Sequence, residues 1–454
     1  MAEKLDLVIR NGMLVYPEKI IFGDVGIKGG KIAALGKAGN LKGARTIDAE
    51  GSYVFPGLID PHTHPVYLDN LEGTASTAAW GGITTVIHYA YAKPGQSQLK
   101  VIREWKKEAG ESSCIDFALH GGFFETLKQS DELPDCFREG VTSYKMFLAY
   151  AKLGWMTDDY ALVKAMDTIG RLGGMASVHA ENGLAIDYIQ DKLLAEKADF
   201  AARFLETSPD LAEAEAVFRA VTLGRLMKCP VYIPHVSSAE TVDVIRFLRS
   251  KGVAAFFETC PQYLALTWDK LKKQGPMGKV GPAIKTQKDQ DALWAGIREG
   301  LFDTFGSDHA PKDKKPTDDF FKAAYGGPGV ETMLSVIWQE GVNRGRIGPC
   351  DIVRMFAENT ARIMGIFPRK GRLDAGADGD IVIFDPKEKW TISAANQHSH
   401  CPYTLFEGKE ILGRVKTVIC RGKPVVEGGE FAGSKKNGKF LPTKAARSYA
   451  GNNK

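Results

Sequence analysis

Cysteine is scarce in this sequence, and the seven present (Cys114, Cys136, Cys229, Cys260, Cys350, Cys401 and Cys420) are far apart, odd in number and never in a CxxC pair. That excludes a disulfide framework and points to reduced thiols in a cytoplasmic protein. A dominant charge is lacking too. The 59 Lys+Arg and 55 Asp+Glu leave a formal +4 spread along the chain, without the clustered basic surface that a nucleic-acid partner requires. The N-terminal MAEKLDLVIRNG has no charged-then-apolar leader pattern. No apolar run approaches the ~18 residues of a membrane helix. The expected setting is therefore the cytoplasm, with neither nucleic acid nor membrane as partner. Internal repeats and low-complexity tracts are missing as well.

What is present is an ordinary globular composition, 44% hydrophobic and 25% charged over 454 residues. That suffices to bury a core without staples and fits one large barrel plus a smaller unit. Both ends of the chain show short Val/Ile-rich segments separated by Gly and Asn: LDLVIRNG, DVGIKGGKIAALG and ARTIDAEG at the start, GDIVIFDP and VKTVICRGKPVVEGGEF near the end. Such segments read as short antiparallel strands with tight turns. Residues 1–54 and 372–454, the latter including a C-terminal tail, are expected to build one small β-sandwich domain.

Between them, strand-like runs alternate with helix-like stretches: YVFPGLID (53–60), ITTVIHYA (83–90), CIDFALHG (114–121), SYKMFLAY (143–150), MASVHA (175–180), VYIPHV (231–236), VAAFFETC (253–260) and DTFGSD (303–308). Eight such βα units predict a (β/α)8 barrel over 55–371. An open doubly wound sheet is disfavoured because no GxGxxG loop follows the first strand. Helix signals support the reading. Ser208-Pro209 looks like an N-cap with Pro at the first helical position before DLAEAEAVFRAVTLGRL, and Ser238 and Gly252 bracket AETVDVIRFLRSK. The basic stretches KDKKP (312–316) and SKKNGK (434–439) read as solvated loop and tail.

Barrel enzymes carry their chemistry at the C-terminal strand ends. His62 and His64 follow the first strand at a spacing of two, which points both imidazoles to one side of extended chain. Lys145, His179, His235 and Asp308 sit in or near the ends of the fourth, fifth, sixth and eighth runs. Singly, a histidine there is more often a core residue and an aspartate a turn cap. Jointly they predict a metal-binding mouth. His88 and His120 lie on strands and can line either the lower barrel or the pocket. Lys145 admits two readings. An ammonium repels a divalent cation, so it is an ion-paired or snorkelling lysine, or it has been carbamylated by CO2 into an anion able to bridge two metals.

The motifs GLIDPHTHP, GGITTVI, VTSYKMFLAY with MTDD, SVHAENG, IPHVSS, ETCPQYL, GSDHAP, ENTARIMGIFPRKGRLDAGADGDIVIFDP and NQHSHCPYTLFEGKEILGRVKTVICRGKPVVEGG run in order along nearly the whole chain. In them the sequence resembles the cyclic amidohydrolases, above all the dihydropyrimidinases and hydantoinases. The resemblance implies a (β/α)8 barrel with a β-sandwich from both termini, a homotetramer (or homodimer), and two divalent ions per chain, Zn2+ first. It makes Lys145 an N6-carboxylysine bridging both ions. His62, His64 and Asp308 would complete one metal site, and His179 and His235 the other.

The implied reaction is ring opening of a dihydropyrimidine, hydantoin or related cyclic ureide or imide to an N-carbamoyl amino acid, by a hydroxide bridging the two metals. Asp308 would be the general base. Tyr150 resembles the tyrosine that stabilises the oxyanion, a residue generally missing from allantoinases and dihydroorotases. Two substrate-binding positions depart from the family. VGPAIK and AYGGPG put Gly281 and Tyr325 where relatives carry Ser and Asn, in segments that hold the substrate chiefly through backbone groups. GSDHAP is also nearer to allantoinase wording, so allantoinase or another cyclic ureide hydrolase is the alternative. A non-catalytic scaffold relative is a more distant one.

Overall fold

The computed structural model describes residues 4–444. Its core is one sheet of eight parallel strands in chain order: β1 (Leu58–Thr63), β2 (Ile83–Ala92), β3 (Asp116–Phe123), β4 (Ser143–Phe147), β5 (Met175–His179), β6 (Val231–Ile233), β7 (Ala255–Thr259) and β8 (Thr304–Phe305). Nearly every residue of these strands is buried, as expected where helices cover the outer face and side chains fill the inner one. The ends of the sheet meet through a parallel bridge between Thr63 and His309 and through Ser307, whose amide and hydroxyl both donate to Asp60. The result is the expected (β/α)8 barrel.

The first expected strand is in fact two. Tyr53–Pro56 pairs antiparallel with Ile381–Thr391, while Leu58 opens the barrel. Gly57 is the hinge, because a Cβ there would strike Thr84 Oγ1. Through that pairing the strands of both termini join into a single nine-stranded sheet. Its own apolar core includes Leu7, Ile9, Val25, Ile27, Ile381 and Ile419. A buried ionic contact ties this sheet to the foot of the barrel, with Lys370 Nζ 2.6 Å from both Asp116 Oδ2 and Asp380 Oδ2.

Local signals mostly act as read. Ser238 caps Ala239–Ser250 by accepting from the Thr241 amide, and Gly252 leaves it at φ 63°. Ser208 does not cap its helix. Asp210–Leu226 starts after Pro209, and the Ser208 hydroxyl donates instead to Glu181 at 2.6 Å. The stretch 434–439 is not a free tail. Asn437 Nδ2 donates to the Cys114 carbonyl, and the Gly438 and Leu441 amides donate to Ser113 and Phe117, which lays the segment along the foot of β3. The remainder of the expected tail, 445–454, lies outside the described residues. All seven cysteines are free, and no helix among the described residues is long and apolar enough to cross a membrane.

Candidate metal centre

Six side chains from five strand ends converge at the C-terminal mouth of the barrel. His62 closes into β1, His64 follows it, Lys145 lies in β4, His179 ends β5, His235 follows β6 and Asp308 follows β8. His62 Nε2 lies 3.1 Å from His64 Nε2, and Asp308 Oδ1 lies 3.2 and 3.1 Å from these two nitrogens. Beside them, His179 Nδ1 and Lys145 Nζ lie 3.1 and 3.4 Å from His235 Nε2. The donor atoms of His62, His64 and Asp308 form a cluster able to hold a metal ion.

The donors are prepared as lone pairs. Burial, with the neighbouring cation Lys145 acting in the same sense, holds His62 and His235 well below the usual imidazole range; His64 is lowered too. His62 Nδ1 is bonded to Glu258 Oε1 at 2.7 Å and His179 Nε2 to Glu181 Oε2 at 2.9 Å, which assigns the protons to the outer nitrogens and leaves the inner ones bare. The inner nitrogens of His62 and His179 each face a second imidazole nitrogen at 3.1 Å, with the Asp308 carboxylate beside the first pair, and such a gathering of donor atoms fits a metal. Asp308 adds the anion. Burial would raise its pKa, but the adjacent His62 and His64 rings and the Lys145 ammonium outweigh that and bring it down to about 2. Lys145, 1% exposed, has no carboxylate partner among the described residues, and burial draws it down to about 8.

Three of these positions are backbone exceptions. Tyr150, His235 and Asp308 have φ of 65°, 48° and 50°, a left-handed conformation that costs a non-glycine residue on the order of 1 kcal/mol and is kept where neighbours enforce it. Glu258 is one such neighbour, because Oε1 also accepts from the His235 amide at 3.1 Å while Oε2 accepts from the Tyr232 hydroxyl at 2.7 Å. Burial pushes Glu258 up to about 7. Asp60 accepts from the His62 amide at 3.0 Å as well as from Ser307. Sequence reasoning missed Glu258, Asp60 and Glu181; for the first two an acid inside an otherwise apolar strand was the available signal, and Glu181 sits in the loop after β5.

His88 and His120 lie beneath the mouth and support it. His88 Nδ1 meets Thr63 Oγ1 at 2.7 Å, and His120 Nε2 meets the Pro61 carbonyl at 3.0 Å. Asp116, Asp380 and Cys420 form another donor cluster, but the Lys370 ammonium already sits in it.

The mouth opens into a cavity of about 440 Å3 walled by Tyr91, Phe124, Phe147 and Trp155. Tyr150 faces the same space. Burial raises its pKa well above 10, so the hydroxyl stays a proton donor. Gly281 and Tyr325 form the opposite wall, and a Cβ on Gly281 would come within 3.2 Å of the Tyr150 hydroxyl and 3.1 Å of the Tyr325 ring. The KDKKP stretch is solvated as expected at Asp313, Lys315 and Pro316 but not at its other two lysines. Lys314 Nζ is buried on the carbonyls of Met277, Lys279 and Gly326, and Lys312 lines the cavity.

A (β/α)8 barrel with bare imidazoles and a carboxylate gathered at its strand ends is the build of a metal-dependent hydrolase. Residues 53–425 match the amidohydrolase family, and residues 1–52 match the urease alpha-subunit N-terminal domain. A D-hydantoinase of Ralstonia pickettii is 37% identical, with 96% of this chain and 98% of that protein covered. A dihydropyrimidinase of Rattus norvegicus is 32% identical over 97% of this chain and 89% of its own. The crystal structure of dihydropyrimidinase from Brevibacillus agri NCHU1002 superposes with a TM-score of 0.92 at 34% identity, covering 96% of this chain and 98% of that one. The chain belongs to the amidohydrolase family, among the hydantoinases and dihydropyrimidinases.

Proposed function

We propose that this chain opens a cyclic amide, a dihydropyrimidine, hydantoin or related cyclic ureide or imide, to an N-carbamoyl amino acid. The observation that carries the proposal is the facing of four imidazole nitrogens, Asp308 and a Lys145 without a carboxylate partner among the described residues on one side of a cavity sized for a small ring. In this reading His62, His64 and Asp308 hold one divalent ion, His179 and His235 hold a second, and Lys145, carbamylated by CO2, belongs to both. Zn2+ suits a set dominated by imidazole nitrogen. Bound there, the ions supply a water activated at neutral pH and a polarised ring carbonyl.

The remaining work falls to the protein. Asp308 stays a carboxylate at neutral pH, takes the proton of the attacking water and returns it to the leaving ring nitrogen. The Tyr150 hydroxyl donates to the carbonyl oxygen as negative charge develops on it. Gly281 leaves that hydroxyl uncovered, and Tyr325 with the backbone of both segments borders the ring. The aromatic wall excludes water from the ring. The cytoplasmic setting is supported by the free cysteines. The homotetramer rests on the family resemblance and is checked by light scattering.

The test is turnover of hydantoin, dihydrouracil and allantoin by protein reconstituted with zinc, manganese or cobalt, with the ring-opened product identified by mass. Failure of all three metals on all three rings, in protein shown to bind metal, overturns the proposal.

A further inference from the structure

Resting on the ring-opening reading, one charged group in the cavity remains without a task. Among the lysines that line it, Lys152 pairs with Asp191, and Lys279 Nζ is held by the carbonyls of Phe320, Phe321 and Ala323 at 3.0, 2.7 and 2.8 Å. Lys322 is exposed at the rim. Lys312 is different. It is partly buried, its ammonium sits 3.0 Å from the centroid of the Tyr67 ring, and among the described residues that ammonium makes no hydrogen bond or ion pair. The anion that acts on it is Asp308, whose carboxylate is turned to His62 and His64.

A cation drawn into a cavity pays for lost hydration unless an anion meets it. Burial brings Lys312 down to about 8, so it remains charged at neutral pH. The aromatic ring beneath it compensates in part. A neutral ring substituent would bury the ammonium further without a partner, whereas a carboxylate would complete a charge-assisted hydrogen bond. We propose that Lys312 is a specificity-determining residue for an anionic substituent: the ring opened at this site carries a carboxylate arm that lies against Tyr67 and pairs with the Lys312 ammonium.

The experiment compares hydantoin-5-acetic acid with hydantoin-5-acetamide, equal in shape and different in charge, on the zinc-loaded full chain. The acid is expected to have the higher kcat/KM. Lys312→Met should lower the acid-to-amide ratio roughly 10- to 100-fold, and Lys312→Arg should keep most of it. Calorimetric binding of the ring-opened N-carbamoyl aspartate, against N-carbamoyl asparagine, gives a readout free of turnover and should show the same dependence on Lys312. Equal handling of acid and amide by the wild type, or a ratio unmoved in Lys312→Met, overturns the proposal. Turnover of the amide alone removes the anion site and keeps the ring-opening reading. Lys312-dependent binding of N-carbamoyl aspartate without turnover of either ring does the reverse, and absence of both binding and turnover removes both.

Discussion

Glu258 offers the sharpest test of how the donor set is held. One carboxylate reaches both halves of the site, accepting from the His62 ring at Nδ1 at 2.7 Å and from the His235 backbone amide at 3.1 Å, while the Tyr232 hydroxyl donates to it at 2.7 Å. Glu258→Ala strands these buried donors, and at about 1 to 1.5 kcal/mol of net stability per hydrogen bond the loss is roughly 3 to 4.5 kcal/mol, before the emptied space is counted. Glu258→Gln keeps the shape and an acceptor oxygen. Its new amide group faces the Tyr232 hydroxyl, which can turn its proton to Thr304 Oγ1 at 2.7 Å, so the fold should survive with the charge removed. What the Gln variant loses is the carboxylate that makes His62 a better donor, and zinc affinity should fall about 10- to 100-fold. Chelator competition measures the affinity, and thermal melting run in parallel measures the stability. A Gln variant with wild-type zinc affinity, or an Ala variant melting with the wild type, would refute the assignment.

Lys145→Ala should abolish turnover and reduce zinc from the proposed two ions per chain, measured by elemental analysis, because the ligand proposed to be shared is gone; full turnover in this variant would overturn the site. Tyr150→Phe should lower kcat roughly 10²- to 10³-fold while leaving zinc content unchanged, and an unaltered kcat would remove Tyr150 from the mechanism. Acid stability has a definite sign. Burial would raise Asp69 and Asp378, but His309, Ser399 and the His400 amide around the first, and Lys370, Lys31 and Arg369 around the second, outweigh it and hold both well below the usual range. Folded values below the unfolded value of about 3.9 mean that this stability is complete above about pH 4 and is lost as pH falls further. Melting temperatures recorded from pH 6 to pH 2.5 should drop on the acid side of that value, and a flat profile would contradict the network.

The barrel was legible because strands buried on both faces leave uninterrupted apolar runs, and its donors were legible because they stand where those runs stop. The less legible parts depend on distant partners. Gly57 divides one apparent strand between two sheets only because Thr84 crowds it. Lys314 looks solvated in KDKKP and is buried because three carbonyls from other segments meet its ammonium. Ser208 has a cap's surroundings in sequence, yet Glu181, 27 positions away, takes its proton. Local pattern carries none of these, since each outcome is decided by which groups the closed barrel brings within hydrogen-bond reach.

The same closure explains why strained backbone persists at the mouth. Asp60 receives the Ser307 amide and hydroxyl and the His62 amide, so the carboxylate that joins the last strand end to the first also fixes the chain on either side of the gap that His62 and Asp308 face across. Asp308 at φ 50° follows directly on Ser307, whose hydroxyl in turn accepts from the His309 amide at 3.1 Å. Glu258 does the equivalent at His235, φ 48°. An αL residue relaxes if its flanks are free to rotate; here Asp60 holds Ser307 before Asp308 and Glu258 holds the His235 amide, so relaxation would break buried hydrogen bonds. Donor geometry and barrel closure are therefore held by the same few carboxylates, and a substitution that loosens one must loosen the other.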